Sequence, residues 1–293
     1  MKKNIINKLT IFISFCLLAI NVNSQQVNTM YFMDNIPYRN TLNPAFQPLS
    51  GFYLGLPILG YSQIYLGNNS LTIKDFAYND VNGNPIFFLH PDGNIDNFYN
   101  ALNSVTSLNT DVQLNLLTFG FRTGKSYWNL SITERMNAEV GLPKDLMKLL
   151  LYGTPDPVNN IYDLKNLGVD MSLYTEVGLG YSREINDKWN VGGKLKFLAG
   201  SANVQTAINK LELQAGIDQW TIKGDGTMNV AVPGNLQIGD NFQSFNYDQP
   251  TQPLDFLNGM GAGVDLGVTF KPINALTISA AVTDLGFIHW NKN

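Results

Sequence analysis

Residues 168–184 read Gly-Val-Asp-Met-Ser-Leu-Tyr-Thr-Glu-Val-Gly-Leu-Gly-Tyr-Ser-Arg-Glu. Val169, Met171, Leu173, Thr175, Val177, Leu179 and Tyr181 fall on one parity, and Asp170, Ser172, Tyr174, Glu176, Gly178, Gly180 and Ser182 on the other. Successive side chains of a β-strand point to opposite faces, so this period of two predicts one unbroken strand with an apolar face and a polar face. Asn186-Asp187 marks a short turn, after which Trp189, Val191, Gly193, Leu195, Phe197 and Ala199 alternate with Asn190, Gly192, Lys194, Lys196 and Leu198. The two runs predict a hairpin far longer than the usual strand of about five or six residues.

Outward from this hairpin the same pattern recurs. Trp128, Leu130, Ile132, Met136, Ala138 and Val140 oppose Tyr127, Asn129, Ser131, Thr133, Arg135, Asn137 and Glu139, with Glu134 the one charge on the apolar side. The turn Thr123-Gly124-Lys125 makes Thr110–Arg122 the hairpin partner of that run. Near the end Ala262, Val264, Leu266, Val268 and Phe270 alternate with Gly261, Gly263, Asp265, Gly267 and Thr269. A turn around Pro272-Ile273-Asn274 then leads into Leu276, Ile278, Ala280 and Val282, and Asp284-Leu285-Gly286 reads as a bulge that switches faces. Pro143 to Tyr152, stopped by Gly153, predicts a short helix in a long connection. Asn79–Asn94 and Pro233–Leu254 read as loops.

Two architectures use long amphipathic strands, the sandwich and the membrane barrel. Crossing a bilayer takes roughly 9–11 tilted residues, and the runs here exceed that. Tyr181, Trp189 and Phe270 lie on the apolar face beside short turns, where a barrel places its interfacial aromatics. The reading is therefore all-β, a transmembrane antiparallel β-barrel of roughly eight to ten strands, with a secreted sandwich adhesin as the weaker alternative.

The composition agrees with a β protein that binds no nucleic acid. Only 14% of the 293 residues are charged, and 26 Gly and 13 Tyr favour strands and tight turns. Lys2 and Lys3 followed by the apolar run Leu9–Ile20, with Val22 and Ser24 at the −3 and −1 positions, predict a signal peptide over residues 1–24. The chain after it carries 16 basic and 23 acidic residues, a net charge of −7, too few cations to neutralise many phosphates. Cys16 is the only cysteine and lies in this leader, so disulfides, thiolate metal sites and cysteine nucleophiles are not expected in the exported chain.

Tyr31 to Pro48, Tyr-Phe-Met-Asp-Asn-Ile-Pro-Tyr-Arg-Asn-Thr-Leu-Asn-Pro-Ala-Phe-Gln-Pro, resembles the N-terminal signature of an uncharacterised outer-membrane barrel family of Gram-negative bacteria. Gly178–Arg183, Val191–Lys196 and Val282–Phe287 are similar to strands of FadL-like long-chain fatty-acid channels, whose relatives include the type IX secretion shuttle proteins. The resemblance implies that residues 25–48 form a plug, with Asn43, Pro44 and Ala45 as its rigid turn, and that 49–293 form the barrel. FadL-like barrels have about fourteen strands. With fewer here, and with His289-Trp290-Asn291-Lys292-Asn293 lacking a terminal aromatic, the barrel is expected to be truncated at its C-terminus.

Chemistry is sparse. His90 and His289 are the only histidines, so neither a zinc site nor a serine triad is expected. Asp92-Gly-Asn94-Ile-Asp96 spaces oxygens as calcium loops do, but Asn97 and Asn103 replace the Gly and Glu an EF-hand needs. Arg135, Glu139, Asp170, Glu176, Lys194 and Lys196 are the charged residues expected to face the lumen. The expectation is a non-enzymatic outer-membrane barrel without cofactor or metal, an uptake channel or binder for hydrophobic or amphipathic small molecules. Its alternative is a scaffold whose outer loops hold secreted protein partners, for which ordered apolar loop residues such as Leu146, Leu149 and Leu150 would be exposed.

Overall fold

A computed structural model describes residues 28–291, apart from 58–59, 81, 155–159, 217, 239–243 and 274. The expected leader with Cys16, and residues 25–27 of the expected plug, lie outside the described residues. The strands are β1 (Phe52–Gly55), β2 (Ser62–Asn68), β3 (Ala77–Asn79), β4 (Pro85–Phe87), β5 (Val105–Thr123), β6 (Ser126–Pro143) and β7 (Asn160–Asp163). After them come β8 (Gly168–Glu184), β9 (Trp189–Ala215), β10 (Trp220–Ala231), β11 (Asn235–Ile238), β12 (Phe245–Asp248), β13 (Gly259–Ile273) and β14 (Leu276–Trp290). Helices are short: α1 (Asn28–Tyr31), α2 (Ile73–Phe76), α3 (Ile95–Ala101) and α4 (Lys144–Tyr152).

Ten strands form one antiparallel sheet in the order β1-β5-β6-β8-β9-β13-β14. β2 shares the edge of β5 with β1, while β7 and β10 flank the far half of β9. The connections at one end are tight. Gly124 takes φ 59° between β5 and β6, a conformation that suits glycine. Between β8 and β9 the Asn186 side chain accepts from the backbone N–H of Lys188 and Trp189. The other end carries the long connections 69–104, 144–167 and 232–258. Among the described residues β14 and the β1/β2 side pair no further strand, so the sheet is open.

Burial along these strands runs opposite to that of a water-bathed sheet. Leu195 and Phe197 on β9 are 69% and 50% exposed, whereas Lys194 and Lys196 between and before them are 6% exposed. On β8, Glu176 and Ser182 are buried while Val169 and Leu179 are exposed, and β13 buries Asp265 while exposing Leu266. The polar parity thus faces inward, onto a concave surface. The curvature is tight enough for Arg135 on β6 to reach Asp284 on β14 although β8, β9 and β13 intervene.

Three of the sheet's bulges decide which parity faces inward. One at Leu116 lets the parity of β5 switch, so that Thr118 and Gly120 continue the inner face begun by Gln113 and Asn115. One at Ser201 lets β9 run on with the opposite parity to Ala215, well beyond Ala199 where its alternation breaks. The third, between Val282 and Leu285, is the expected face-switching bulge, with Asp284 at φ 59°. The stretches read as loops hold β4, which pairs with β3 at the edge of the first stretch, and β11 with β12, short strands of three or four residues too brief to show a period.

The far half of β9, about a dozen residues, stands beyond β13 and pairs with β10. At its tip Tyr162, Leu164, Leu213 and Ala215 form an apolar cluster against which Leu146, Leu149 and Leu211 pack. α4 is therefore held by its leucine face, and of the three leucines expected on an exposed loop only Leu150 is exposed. Truncating Leu213 to Ala should cost about 2–5 kcal/mol locally. Hydrogen exchange should accelerate in 144–152 and 160–163 while 168–184 stays protected.

Candidate functional site

The polar parity of the central strands converges on Glu176 of β8. Its carboxylate meets Lys194 Nζ at 2.8 Å, Arg135 Nε at 3.0 Å and Lys196 Nζ at 3.6 Å. Lys196 continues to Asp265 at 2.7 Å and to Asp284 at 2.5 Å, and Arg135 reaches Asp284 at 3.4 Å. Three cations and three carboxylates thus form one neutral group spanning β6, β8, β9, β13 and β14. Glycines make room for it, since Lys194 lies across Gly178, where a Cβ would collide with its Cε. Asp265 also accepts from the backbone N–H of Asp284 at 2.7 Å, which holds the bulge residue in its left-handed conformation.

Below this group, toward the tight turns, the N-terminal segment seats on the concave face. Asn43 and Ala45 are buried. Asn43 Oδ1 accepts from Ala45 N at 2.8 Å, and Asn43 Nδ2 donates to Val268 O and Ala280 O at 3.4 and 3.2 Å. Asn190 Nδ2 donates to Ala45 O at 2.5 Å. The seat itself is two glycines that face each other across β9 and β13, Gly192 and Gly267. A Cβ on the first would strike the Pro44 carbonyl, and one on the second Asn43 Oδ1. Farther round, Arg122 donates to Gln47 Oε1 at 2.6 Å and Pro48 O at 2.5 Å. The Arg39 guanidinium lies 4.3 Å from the Phe46 ring centroid. Burial pushes the Tyr38 phenol of this segment above its ordinary range.

Above the charged group the concave face borders an open cavity of about 1060 Å³, lined from β2, β5, β6, β8, β9 and β14 and by Thr41 and Leu42 of the N-terminal segment. Glu139 and Asp170 stand on its wall as direct register partners on β6 and β8. The six charges expected to face the lumen divide: Arg135, Glu176, Lys194 and Lys196 join the ion group, and Glu139 with Asp170 stay apart on the cavity wall. Asp265 and Asp284 belong to the group without having been singled out. Asp265 sits on the polar parity of its run and was recognisable by that; Asp284 turns inward only because of the bulge.

The calcium-like loop and Glu134 of β6 have structural roles. In the calcium-like stretch, Asn94 caps α3 by accepting from Asn97 N at 2.9 Å, and Asp96 accepts from Tyr152 Oη at 2.6 Å. That hydrogen bond to Asp96 pushes the Tyr152 phenol up to about 12. Glu134 on the outer face accepts from Thr175 Oγ1 at 2.7 Å, its neighbour across β6 and β8.

Replacing Glu176 with Gln leaves buried cations short of a counter-charge and should cost about 3–5 kcal/mol, read as a lower urea midpoint. Glu139→Gln, which separates two opposed carboxylates, should leave stability unchanged or raise it. Gly192→Val should strain the seat by about 1–3 kcal/mol and speed tryptic cleavage after Arg39, with the Glu176 group intact.

Neither a curated protein nor a solved structure matches the chain. A family model does match, over residues 44–293, from Pro44 at the glycine seat through β14. On that match the chain belongs to DUF5723, a family of unknown function.

Proposed function

We propose that this chain is an exported β-barrel protein of the bacterial outer membrane, plugged at its tight-turn end by the N-terminal segment, and that its lumen binds or passes small amphipathic molecules. The observation that carries this reading is the inverted burial of β9, with Lys194 and Lys196 inside and Leu195 and Phe197 outside. In water that pattern sacrifices apolar burial and desolvates charge at once; in a bilayer the outer face meets hydrocarbon and the inner face keeps its ion pairs.

Aromatic pairs on the outer face at the tight-turn end support it. Trp128 lies 4.6 Å from Tyr181, and Trp189 stacks on Phe270 at 4.4 Å, where a barrel's interfacial belt belongs. The Asn43-Pro44-Ala45 turn on its glycine seat supports the plug and the likeness to FadL-like channels. Within a membrane the open edges at β14 and at β1/β2 need partner strands, because unpaired backbone groups are costly in hydrocarbon. The cavity wall sets Asn, Gln and Tyr side chains beside Leu42, Met171, Val204 and Trp290, so the amphipathic end of the range fits best.

A second reading, a scaffold for secreted proteins, is favoured by the ordered outer projection, which exposes Leu150, Ile161, Trp220 and Ile222. Fractionation of cells making the full gene product separates these readings from a sandwich. A membrane-bound band whose gel mobility shifts on heating, cleaved by external protease within 144–167, is the expected result. A periplasmic band with no heat shift would overturn the barrel.

A further inference from the structure

The cavity wall has a charge character that narrows its ligand. Arg135 is the only cationic side chain among its lining residues, and it is engaged by Glu176 and Asp284. Asp111, Glu139 and Asp170 line the same wall, and none of the three has a salt-bridge partner among the described residues. Gln113 Nε2 lies 3.3 Å from Asp111, and the backbone N–H of Thr206 lies 3.2 Å from Asp170. Both are neutral donors that leave the charges in place.

Geometry concentrates these charges. Glu139 faces Asp170 directly across β6 and β8, and Asp111 faces Asn137, one inward position along β6. Like charges directly opposed on adjacent strands destabilise a sheet. Here they also stand in a recess walled by protein, where one sign of charge focuses its field and raises the local concentration of counter-ions.

Most of the remaining wall residues are hydrogen-bonding, with Leu42, Ala138, Met171, Val204 and Trp290 as its apolar members. Six amide side chains line it, among them Asn109, Asn137, Asn203 and Gln205, with the hydroxyls of Tyr61, Tyr65 and Tyr174. Amides and phenols donate and accept, so they suit a hydroxyl- or amine-bearing solute better than a bare hydrocarbon chain.

We propose that the cavity is a binding site for hydrophilic solutes of positive or zero charge and that it rejects carboxylate-bearing amphiphiles. The proposal deepens the solute-binding reading above and rests on its assignment of the concave face as the lumen. The selecting groups are Asp111, Glu139 and Asp170, with the amides holding the solute in place.

The test needs neither a known ligand nor an open pore. Ser172 faces the cavity opposite Asn137 and two residues from Asp170. In a full-length chain carrying Cys16→Ser and Ser172→Cys, the introduced thiol is timed against methanethiosulfonate reagents bearing trimethylammonium or sulfonate. The rates are normalised to those of free mercaptoethanol.

A preference of about tenfold for the cationic reagent is expected, as focused potentials give. It should fall toward unity in Asp111→Asn/Glu139→Gln/Asp170→Asn, and also in the parent protein as added salt shortens the screening length. The salt arm decides if the triple variant does not fold. Equal or faster reaction with the anionic reagent, a preference indifferent to both carboxylate removal and salt, or a thiol neither reagent reaches would overturn the proposal. A heat-shift gel of the same samples separates the two readings. Loss of the shift with the preference intact overturns the membrane assignment alone, and an intact shift without the preference overturns the ligand class alone.

Discussion

Glu176 accepts from cations on two other strands, and the shape of the sheet follows from that contact. A carboxylate 1% exposed is tolerable only with its charge matched. Lys194 and Lys196 come from β9, Arg135 from β6, and Asp265 and Asp284 complete neutrality from β13 and β14. Hydrogen bonds of the ladder join each strand only to its neighbours. The ion group instead links β6 to β14 across the hollow, which favours a curled sheet over a flat one. Such a group need not be worth more than a well-packed apolar core; its importance is that each member depends on the others, so losing one leaves an uncompensated charge.

Two consequences radiate from this group. Toward the tight turns, small residues flatten the wall so that backbone can dock on it. Gly192 and Gly267 admit the Asn43-Pro44 peptide where any side chain would collide. Toward the long connections the inner face opens into the cavity, and there the charges cease to be matched. One concave surface therefore holds a neutral middle, a floor on which the Asn43-Pro44 turn is seated and an acidic upper wall, while its reverse is mostly apolar, with Glu134 bonded by Thr175. On the proposed membrane reading this division is what a lipid-facing exterior and a solute-facing interior require.

Much of this was legible from period-two patterning. β8 begins and ends where the alternation does, at Gly168 and Glu184, and the tight turns fall at Gly124 and Asn186 as their residue types suggest. The six charges share one parity of β6, β8 and β9, because parity survives folding wherever the strand is regular. Reading fell short at the bulge in β9, which went unread, and at the consequence of the β14 bulge, which was read. Ser201 hid the second half of β9, and Asp284 entered the ion group by a face switch whose destination no local pattern reveals. The glycine seat was equally hidden, since Gly192 and Gly267 become partners only through the register of β9 with β13. Distinguishing paired from unpaired charges also depends on cross-strand register, which is why Glu139 and Asp170 could be assigned a face but not a partner.

The central claim is that the apolar parity of β8 faces lipid and the polar parity faces a watery or ion-paired interior. Spin labels placed one at a time from 169 to 181 in the reconstituted protein test it, with oxygen and a water-soluble nickel chelate as competing relaxants. The account predicts collision with oxygen at 169, 171, 173, 175, 177, 179 and 181 and its loss at every even position, a clean period of two. Odd positions shielded from both relaxants, as in the core between two packed sheets, would contradict it.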